Sequence, residues 1–262
     1  MAEIMIGTSG FSYPDWVGPV YAEGTPAGEF LRLYSREFPM VELNFSYYRQ
    51  PEPRVLAKMA ESTPAGFLFA VKAHQSLTHE IPADLAAAAA TFRQGLLPLE
   101  ESSRLAAVLL QFPYSFHYTP PSRKHLEEVC ALLEGLPLAV EFRNAEWQRD
   151  SVYEGLARRG AAIVNVDEPL LRGLPRPTER VTSELGYIRF HGRNNAQWWK
   201  GDSASRYDYL YTREELSGWL PGLRAMQPKV KLLLVAFNNH RRGQAVQNAR
   251  ELKQLLLLDS PS

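Results

Sequence analysis

Ionisable residues recur at the ends of β-like segments of this sequence. Glu42 and Asn44 close one segment, Glu141 and Arg143 close another, and Asp167 closes a third. A carboxylate beside a cation stays ionised and can act as a general base, whereas a carboxylate crowded by others shifts towards its acid form. Paired carboxylates also cleave glycosides, at separations that a sequence does not provide. The pattern predicts acid–base chemistry, with Glu42, Glu141 and Asp167 as candidate catalytic residues.

Cations and a histidine follow the same pattern. Lys72, Arg143 and Arg189 lie on β-like segments, and His191 closes the segment that holds Arg189. Arginine presents a planar fork that fits phosphate or carboxylate, and lysine supplies a point charge. We therefore expect the three cations to hold an anionic substrate, while His191 is a candidate catalytic residue that moves protons with one of the carboxylates.

Two other kinds of chemistry stay open for these residues. The histidines and carboxylates near strand ends are candidate ligands for a divalent metal ion, but no two histidines have the helical i, i+4 spacing. We therefore assign no metal ligand and no cofactor, and retain a divalent metal as an alternative. Lys72 would form a Schiff base if it were desolvated, but we expect neighbouring carboxylates to keep it protonated.

Aromatic and amide residues accompany the charged ones. Trp198 and Trp199 occupy a connection from Gly192 to about Tyr211, and loops of this length in a compact domain are usually functional or mobile. Aromatic faces beside cations can stack on sugars or nucleobases while the cations contact phosphate. Besides the three cations, we predict as substrate-binding residues Asn44, Tyr48, Arg49, Gln111, Trp147, Trp198, Trp199, Asn238, Asn239 and His240.

The elements that must position these residues alternate along the chain. Helical patterns separate eight candidate strands, and a short helix is expected in the proline-rich stretch Glu168–Arg180. The predicted strands are Glu3–Thr8, Met40–Asn44, Phe67–His74, Leu105–Phe112, Pro137–Arg143, Ala161–Asp167, Gly186–His191 and Val230–Asn238. The predicted helices are Ala27–Phe38, Pro53–Ser62, Pro82–Leu97, Ser122–Leu133, Asp150–Arg159, Thr212–Met226 and Gly243–Leu257.

Eight strands with intervening helices predict a (β/α)8 barrel of the triosephosphate-isomerase type. Because no repeat or linker interrupts the pattern, we expect one α/β domain over residues 1–262. A doubly wound sheet is the alternative, but it normally has fewer strands and a Gly-rich phosphate turn. The first strand ends in Gly-Thr-Ser-Gly at residues 7–10, which does not match the dinucleotide-binding fingerprint.

Polar and apolar side chains alternate on six of these strands. The face that contacts the helices must be apolar, so we infer that the polar face points into the barrel. On the sixth strand this rule directs Asn165 and Asp167 inward. The polar residues gather at the C-terminal strand ends, where barrels of this type have their active sites. The structural alternative is an inward ion-pair network, for example Glu42 with Lys72 or Glu141 with Arg143.

Composition restricts the class of protein. The chain has 29 basic and 29 acidic residues, so zero net charge argues against a generic polyanion-coating protein. A single cysteine rules out an intramolecular disulfide framework and a multi-cysteine zinc site, and fits a reducing compartment. We see no secretory signal and no apolar run long enough to span a membrane. We therefore expect a cytoplasmic protein without a membrane or an obligate protein partner.

The same strand ends carry a family resemblance that runs in order through nearly the whole chain. The sequence resembles the YecE-like family, domain of unknown function 72, which implies a single triosephosphate-isomerase-type barrel and no settled activity. One small departure is Phe11, where the family often has Trp. The matching residues are Gly7-Thr8-Ser9-Gly10-Phe11-Ser12-Tyr13, Trp16, Val41-Glu42-Leu43-Asn44, Phe45, Tyr48, Arg49, Pro51, Phe69-Ala70-Val71-Lys72-Ala73, Thr78-His79, Gln111-Phe112-Pro113, Glu141-Phe142-Arg143, Trp147, Asp167, Arg189-Phe190-His191-Gly192, Phe237-Asn238-Asn239-His240 and Asn248-Ala249.

These observations favour an enzyme that acts on an anionic, phosphorylated or sugar-containing substrate at the C-terminal mouth of the barrel. The alternatives are a non-catalytic binder of a nucleic-acid fragment or another phosphate-bearing ligand, and a metal-assisted phosphodiester hydrolase. The preference for an enzyme rests on analogy between barrels. The expected partner is an anionic small molecule or a nucleic-acid fragment.

Overall fold

Eight parallel strands close into a barrel in chain order, and the last strand pairs with the first. This arrangement comes from a computed structural model, which describes residues 2–80 and 82–259; the expected domain limits at residues 1 and 262 lie outside those ranges. The barrel confirms the predicted fold class, and every predicted strand is present. The strands are β1 (Glu3–Ser9), β2 (Met40–Leu43), β3 (Leu68–Lys72), β4 (Leu105–Phe112), β5 (Leu138–Phe142), β6 (Ala162–Asp167), β7 (Leu185–Phe190) and β8 (Leu232–Phe237).

Helices surround the barrel, and each predicted helical segment contains at least one. Side-chain caps begin several of them: Asp84 accepts from the backbone N–H of Ala87, and Thr212 forms a capping box with Glu215. The α-helices are α1 (Phe30–Tyr34), α2 (Phe45–Tyr48), α3 (Pro53–Glu61), α4 (Gln75–Thr78), α5 (Leu85–Glu101), α6 (Pro120–Leu132), α7 (Asp150–Arg158), α8 (Ser203–Arg206), α9 (Arg213–Ser217), α10 (Leu220–Met226) and α11 (Gln244–Leu258).

The helix predictions were wrong in detail at two places. The segment Glu168–Arg180 contains no helix, because Pro169, Pro175 and Pro177 remove the backbone donors that a helix needs. Conversely, the short helices α2, α4 and α8 follow strands β2, β3 and β7, where loops were expected. No helix in the described part of the chain is long and apolar enough to cross a membrane.

The buried side chains form two layers, as alternation along the strands requires. The outer layer joins the strands to the helices and includes Ile6, Val41 and Phe69. The inner layer fills the barrel with small and aliphatic side chains, and its members include Met5, Met40, Ala70, Ala107, Leu109, Ala139, Val164, Val166, Leu234 and Ala236. Because apolar side chains fill this part of the interior, the polar inward residues are confined to the C-terminal strand ends.

Gly7 shows how tightly the first two strands approach each other. A Cβ atom at this position would lie 2.1 Å from the backbone oxygen of Met40, so no larger residue fits without moving a strand. The close approach brings the end of β1 beside Glu42, and the backbone N–H of Gly10 donates to the backbone oxygen of Glu42 at 2.8 Å. This contact fixes the turn that leads into the loop above the barrel.

Candidate functional site

Arg189 lies at the centre of a buried ion-pair network near the C-terminal end of the barrel. Its Nε and Nη2 donate to the two carboxylate oxygens of Glu42 at 2.7 and 2.6 Å, and its Nη1 donates to Glu141 Oε2 at 2.6 Å. The hydroxyl of Tyr187 donates to Glu42 Oε2 at 2.6 Å. Burial by itself would raise the pKa of Glu42, but the attraction of Arg189 outweighs it and the pKa lies below its usual value. Glu42 is therefore a fixed anion.

Arg143 extends the network to the other side of Glu141. Its Nε donates to Glu141 Oε1 at 2.5 Å and its Nη1 donates to Glu168 Oε2 at 3.1 Å. Burial opposes ionisation of Glu141, but Arg143 and Arg189 together hold its pKa well below the usual range. The network thus alternates in charge along Glu42, Arg189, Glu141 and Arg143, and it ends at the carboxyl group of Glu168. It matches the structural alternative considered for Glu141 with Arg143, whereas Glu42 is paired with Arg189 and not with Lys72.

His191 is an uncharged part of this network. Its Nδ1 accepts from Asn238 Nδ2 at 3.1 Å and faces Arg143 Nη2 at 3.2 Å, so the ring proton lies on Nε2, which is 3.4 Å from Glu141 Oε1. Burial and the nearby Arg143 lower the pKa of His191 to about 3. The ring is completely buried. This placement does not support the expected role of His191 as a proton carrier.

Glu168 is a member of the network that the sequence analysis missed. It follows Val164 and Val166 on the inward face of β6, although it lies one residue beyond the strand. Its Oε1 is buried and has no hydrogen-bond partner in the described residues. Burial raises the pKa of Glu168 to about 8, so the group is a neutral acid at pH 7. The alternation of Val164 and Val166 was the signal that could have identified it.

Asp167 faces away from the barrel interior, so its predicted inward orientation was wrong. Both of its oxygens are bound by Arg193, at 2.8 and 2.6 Å, and Trp219 Nε1 donates to Oδ2 at 2.7 Å. The polar-inward rule fails on β6 because Val164 and Val166 belong to the apolar inner layer. The outward carboxylate is tolerated because its hydrogen bonds satisfy it. Asp167 is consequently not a candidate for chemistry at the mouth.

A cavity of about 540 Å³ opens directly above the network. Eight of the residues predicted to act at the site line it, namely Asn44, Tyr48, Lys72, Gln111, Arg143, Arg189, Asn238 and His240. The other lining residues come from the end of β2, from α2 and from strand-end loops, and the sequence analysis assigned them no role: Gly10, Phe11, Ser12, Tyr13, Leu43, Phe45, Tyr47 and Tyr207. Glu42, Glu141 and His191 do not line the cavity, because they are completely buried beneath its floor.

Lys72 is placed differently from the two arginines. Its Nζ donates to Gln111 Oε1 at 2.7 Å, lies 4.2 Å from the centre of the Tyr47 ring, and makes no ion pair with a carboxylate of any described residue. Burial, followed by the repulsion of Arg189, lowers the pKa of Lys72 to about 7. The pairing of Lys72 with neighbouring carboxylates, expected from the sequence, is therefore absent among the described residues. The nearby glutamates are already bound to the arginines.

The rim of the cavity also carries a stacked aromatic pair. The ring of Tyr13 lies parallel to that of His240 with their centres 4.4 Å apart, and the buried Trp16 donates from Nε1 to the His240 backbone oxygen at 2.6 Å. Gly10 has φ +83°, a conformation that favours glycine and turns the loop towards the rim. The atoms His240 Nδ1 and Asn44 Oδ1 are buried without a hydrogen-bond partner among the described side chains and backbone.

Several predicted binding residues do not line this cavity. Trp147 is 1% exposed and stacks on Phe142 at 4.4 Å, between the barrel and its helices. Asn239 donates to the Tyr209 backbone oxygen and to Asn248, both at 2.8 Å. These two residues follow β5 and β8 in the chain, where they support the loops and do not line the cavity.

The remaining predicted residues surround the mouth at a distance. Trp198 is buried with its ring centre 5.8 Å from the Arg143 guanidinium carbon, in a side recess that Trp199 also lines. Arg49 is exposed and does not line the cavity. In the part of the chain that the structure describes, no three His, Cys, Asp or Glu side chains are grouped so that they could hold a metal ion.

Comparison with known proteins identifies relatives of this chain. The family model described as a protein of unknown function, DUF72, matches residues 5–261. The UPF0759 protein YunF of Bacillus subtilis is 34% identical over 269 residues, covering 97% of this chain and 94% of YunF. The UPF0759 protein YecE of Escherichia coli is 26% identical over 189 residues, covering 69% of this chain and 63% of YecE.

Solved structures agree with this result. A DUF72 family protein from Thermotoga maritima, TM1631, superposes with a TM-score of 0.90 and is 39% identical, covering 97% of this chain and 99% of the other. A DUF72 family protein from Enterococcus faecalis, EF0366, has a TM-score of 0.86 and is 26% identical, covering 99% of this chain and 97% of the other. The agreement of the family model, the relatives and the barrel shows that this chain belongs to the DUF72 family of proteins of unknown function, as its resemblance to the YecE-like family implied.

Proposed function

We propose that this protein is an enzyme that acts on a small anionic substrate in the cavity above the ion-pair network. One observation carries the proposal. Lys72 presents a cation to the cavity and has no carboxylate partner among the described residues. A buried charge without a counter-charge is costly, and functional sites are where such arrangements occur.

The charge balance supports an anion as the ligand. The two arginines of the network are balanced by Glu42 and Glu141, while Glu168 and His191 are neutral at pH 7. A protonated Lys72 therefore leaves one positive charge uncompensated. An anion 4 Å away would interact with that charge by about 4 kcal/mol at an effective dielectric constant of 20. The bound substrate would supply the missing negative charge.

The other lining groups suit a polar organic substrate. Tyr47 and Tyr207 line the cavity with aromatic rings, and two lining residues have a buried polar atom without a hydrogen-bond partner among the described residues, namely His240 Nδ1 and Asn44 Oδ1. Because the pKa of Lys72 is about 7, its amine can accept or release a proton near neutral pH. We place the acid–base role on Lys72, since the catalytic glutamates expected from the sequence lie beneath the floor.

Binding of inorganic phosphate and small carboxylates by calorimetry tests the ligand class. We expect binding that strengthens as the pH falls through 7, because Lys72 gains its proton there, and we expect Lys72→Met to weaken the binding and to remove this pH dependence. Lys124→Met is the matched control, since Lys124 is exposed on α6. Binding that is equally strong in Lys72→Met would contradict the proposal. A screen of anionic metabolites for turnover, with the same two variants, tests the enzymatic part.

A nucleic-acid fragment is the second candidate ligand, and exposed aromatic rings favour it. Tyr48 is 75% exposed at the cavity rim, and Trp199 is 51% exposed beside the Arg143 recess. Bases can stack on such rings while phosphates contact cations. Binding of single-stranded oligonucleotides should then weaken steeply with salt and fall in Tyr48→Ala. Salt-independent binding, or none, would remove this candidate.

Metal-assisted phosphodiester hydrolysis, the third hypothesis from the sequence, receives no support from the arrangement of side chains. Asp167 faces outward, His191 is buried in the network, and the described residues contain no cluster of three potential ligands. We therefore do not carry it forward.

A further inference from the structure

We propose that Lys72 is a nucleophile whose Nζ forms an imine with the carbonyl carbon of the substrate, and that the substrate is an anionic oxo compound such as an oxo acid or a carbonyl-bearing phosphate. This inference deepens the proposed function and rests on it, because it places the reaction in the same cavity. It adds the reacting atom and the substrate class.

The position of Lys72 is that of an attacking group. It is the last residue of β3, so its stem is anchored by the barrel wall while its Nζ reaches the cavity. The Gln111 oxygen holds the nitrogen from one side at 2.7 Å, and the Tyr47 ring holds it from another at 4.2 Å. Both contacts restrict the amine without supplying a negative charge. A fixed, partly desolvated amine is the arrangement that covalent amine catalysis needs.

The surroundings of the amine favour its neutral form. Arg143 and Arg189 line the same cavity, and the glutamates that could stabilise an ammonium ion are bound to those arginines. A lysine beside other cations and away from water loses its proton more easily, and only the neutral amine is nucleophilic. The lowered pKa of Lys72, about 7, agrees with this geometry. A substantial fraction of the amine is therefore unprotonated at neutral pH.

The same arginines define the other half of the substrate. Each guanidinium has five N–H bonds, and the glutamates and His191 occupy only part of them. Because Arg143 and Arg189 also line the cavity, their free N–H groups can hold a carboxylate or phosphate beside Lys72. The amide of Asn238 lines the cavity as well and can bind a substrate oxygen. An anionic group next to a carbonyl fits this set of donors.

The reaction balances without a further co-reactant. The lone pair of the neutral Lys72 amine forms a C–N bond to the carbonyl carbon, and a proton moves from nitrogen to the carbonyl oxygen to give a carbinolamine. The C–O bond then breaks, a proton from solvent joins the departing hydroxide, and water leaves. The product is a protonated C=N bond on Lys72. The positive nitrogen draws electrons from the neighbouring carbon, which assists proton removal or bond cleavage there.

Reductive trapping tests the inference. The intact protein is incubated at pH 7 with pyruvate or dihydroxyacetone phosphate and cyanoborohydride, which reduces an imine to a stable secondary amine that peptide mass spectrometry locates. We expect labelling at Lys72 at least about 100-fold faster than at exposed Lys124, since an ordinary lysine in water is almost entirely protonated at pH 7. Acetone, a neutral ketone, should label Lys72 much more slowly than the anionic probes.

The variant Lys72→Arg separates this inference from the proposed function, because it keeps the cation and removes the nucleophile. If both proposals hold, Lys72→Arg binds pyruvate with the affinity of the original protein but forms no trapped adduct. Lys124→Met binds and is trapped as the original protein is. Binding without trapping at Lys72 in the original protein overturns the imine and leaves the proposed function intact. Absence of both binding and trapping overturns both, whereas labelling of Lys72 at the same rate as Lys124 overturns the imine alone. Thermal melting of each variant confirms that it is folded.

Discussion

The substitution Gln111→Glu probes the electrostatics of the cavity most directly. Gln111 Oε1 lies 2.7 Å from Lys72 Nζ, and no other described acceptor or carboxylate contacts that nitrogen. Glutamate has nearly the same shape as glutamine, so the change places a negative charge beside the amine with little change in packing. It restores the carboxylate partner that the sequence analysis had expected for Lys72.

The magnitude follows from the distance. Because the carboxylate charge is shared between two oxygens, the two charge centres would lie about 4 Å apart and interact by about 4 kcal/mol at an effective dielectric constant of 20, and roughly 1.4 kcal/mol corresponds to one pKa unit. The new carboxylate should therefore raise the pKa of Lys72 from about 7 by roughly three units. Most of the amine would then be protonated at pH 7, so trapping with pyruvate should slow by at least about 100-fold. Anion binding should also weaken, because the new carboxylate neutralises the positive charge of Lys72.

Competitive labelling with acetic anhydride across a range of pH measures this shift, because only neutral amines react. The labelling profile of Lys72 should move to higher pH in Gln111→Glu, while that of exposed Lys124 serves as the reference within each sample. Gln111→Met is the matched control, since it removes the acceptor without adding charge and should leave the pKa of Lys72 low. If the Gln111→Glu profile coincides with the original one, Lys72 is not desolvated beside Gln111 and the reasoning fails.

Three further predictions concern the stability of the protein, two for the ion-pair network and one for Lys72, and are measured by urea unfolding. Glu42→Gln should lower the free energy of unfolding by about 3–5 kcal/mol, because it leaves the buried Arg189 without its bidentate partner; a loss below about 1 kcal/mol would mean that the pair is not buried as described. Glu168→Gln should have the stability of the original protein at pH 5 and exceed it by roughly 2–4 kcal/mol at pH 9. The reason is that the folded-state pKa of Glu168, about 8, lies above the unfolded value, so the original protein loses stability as the pH rises through that range. Equal stabilities of the two proteins at pH 9 would contradict a buried neutral acid. Lys72→Met should stabilise the protein by about 1–3 kcal/mol at pH 6 and by less at pH 10. The folded-state pKa of Lys72, about 7, lies below that of the unfolded chain, so the original protein gains stability as the pH rises from the folded to the unfolded pKa. A stabilisation that does not change with pH would indicate only better packing.

The fold was predictable because its signals are local. Apolar periodicity and the order of elements identify eight strands and the helices between them, and closure in chain order follows from parallel pairing of successive strands. The boundaries differed where local signals conflicted, as in Glu168–Arg180, where prolines left no backbone donors for a helix. Short helices such as α4 were missed because four residues carry too little periodicity.

The candidate site was only partly predictable. The strand-end positions correctly predicted that four of the charged residues lie close together, namely Lys72, Arg143, Arg189 and Glu141. The face of β6 that points inward was not predicted correctly, because alternation alone allows either Val166 or Asp167 to face the interior. Only the apolar inner layer decides that Val166 does. For the same reason, Glu168 was not identified from the sequence as a residue that faces the barrel interior.

By itself, the sequence determined the barrel, the family resemblance and the gathering of charges at one end, because these depend on periodicity and on the order of residues. Only the tertiary structure decided how the charges are paired. Coulomb attraction and hydrogen bonding join Arg189 to Glu42 and to Glu141 across the barrel, over more than forty positions of sequence in each case. That pairing takes both glutamates away from Lys72. A residue type at a strand end indicates what chemistry is available, whereas burial and the partners across the barrel decide which group remains free to perform it.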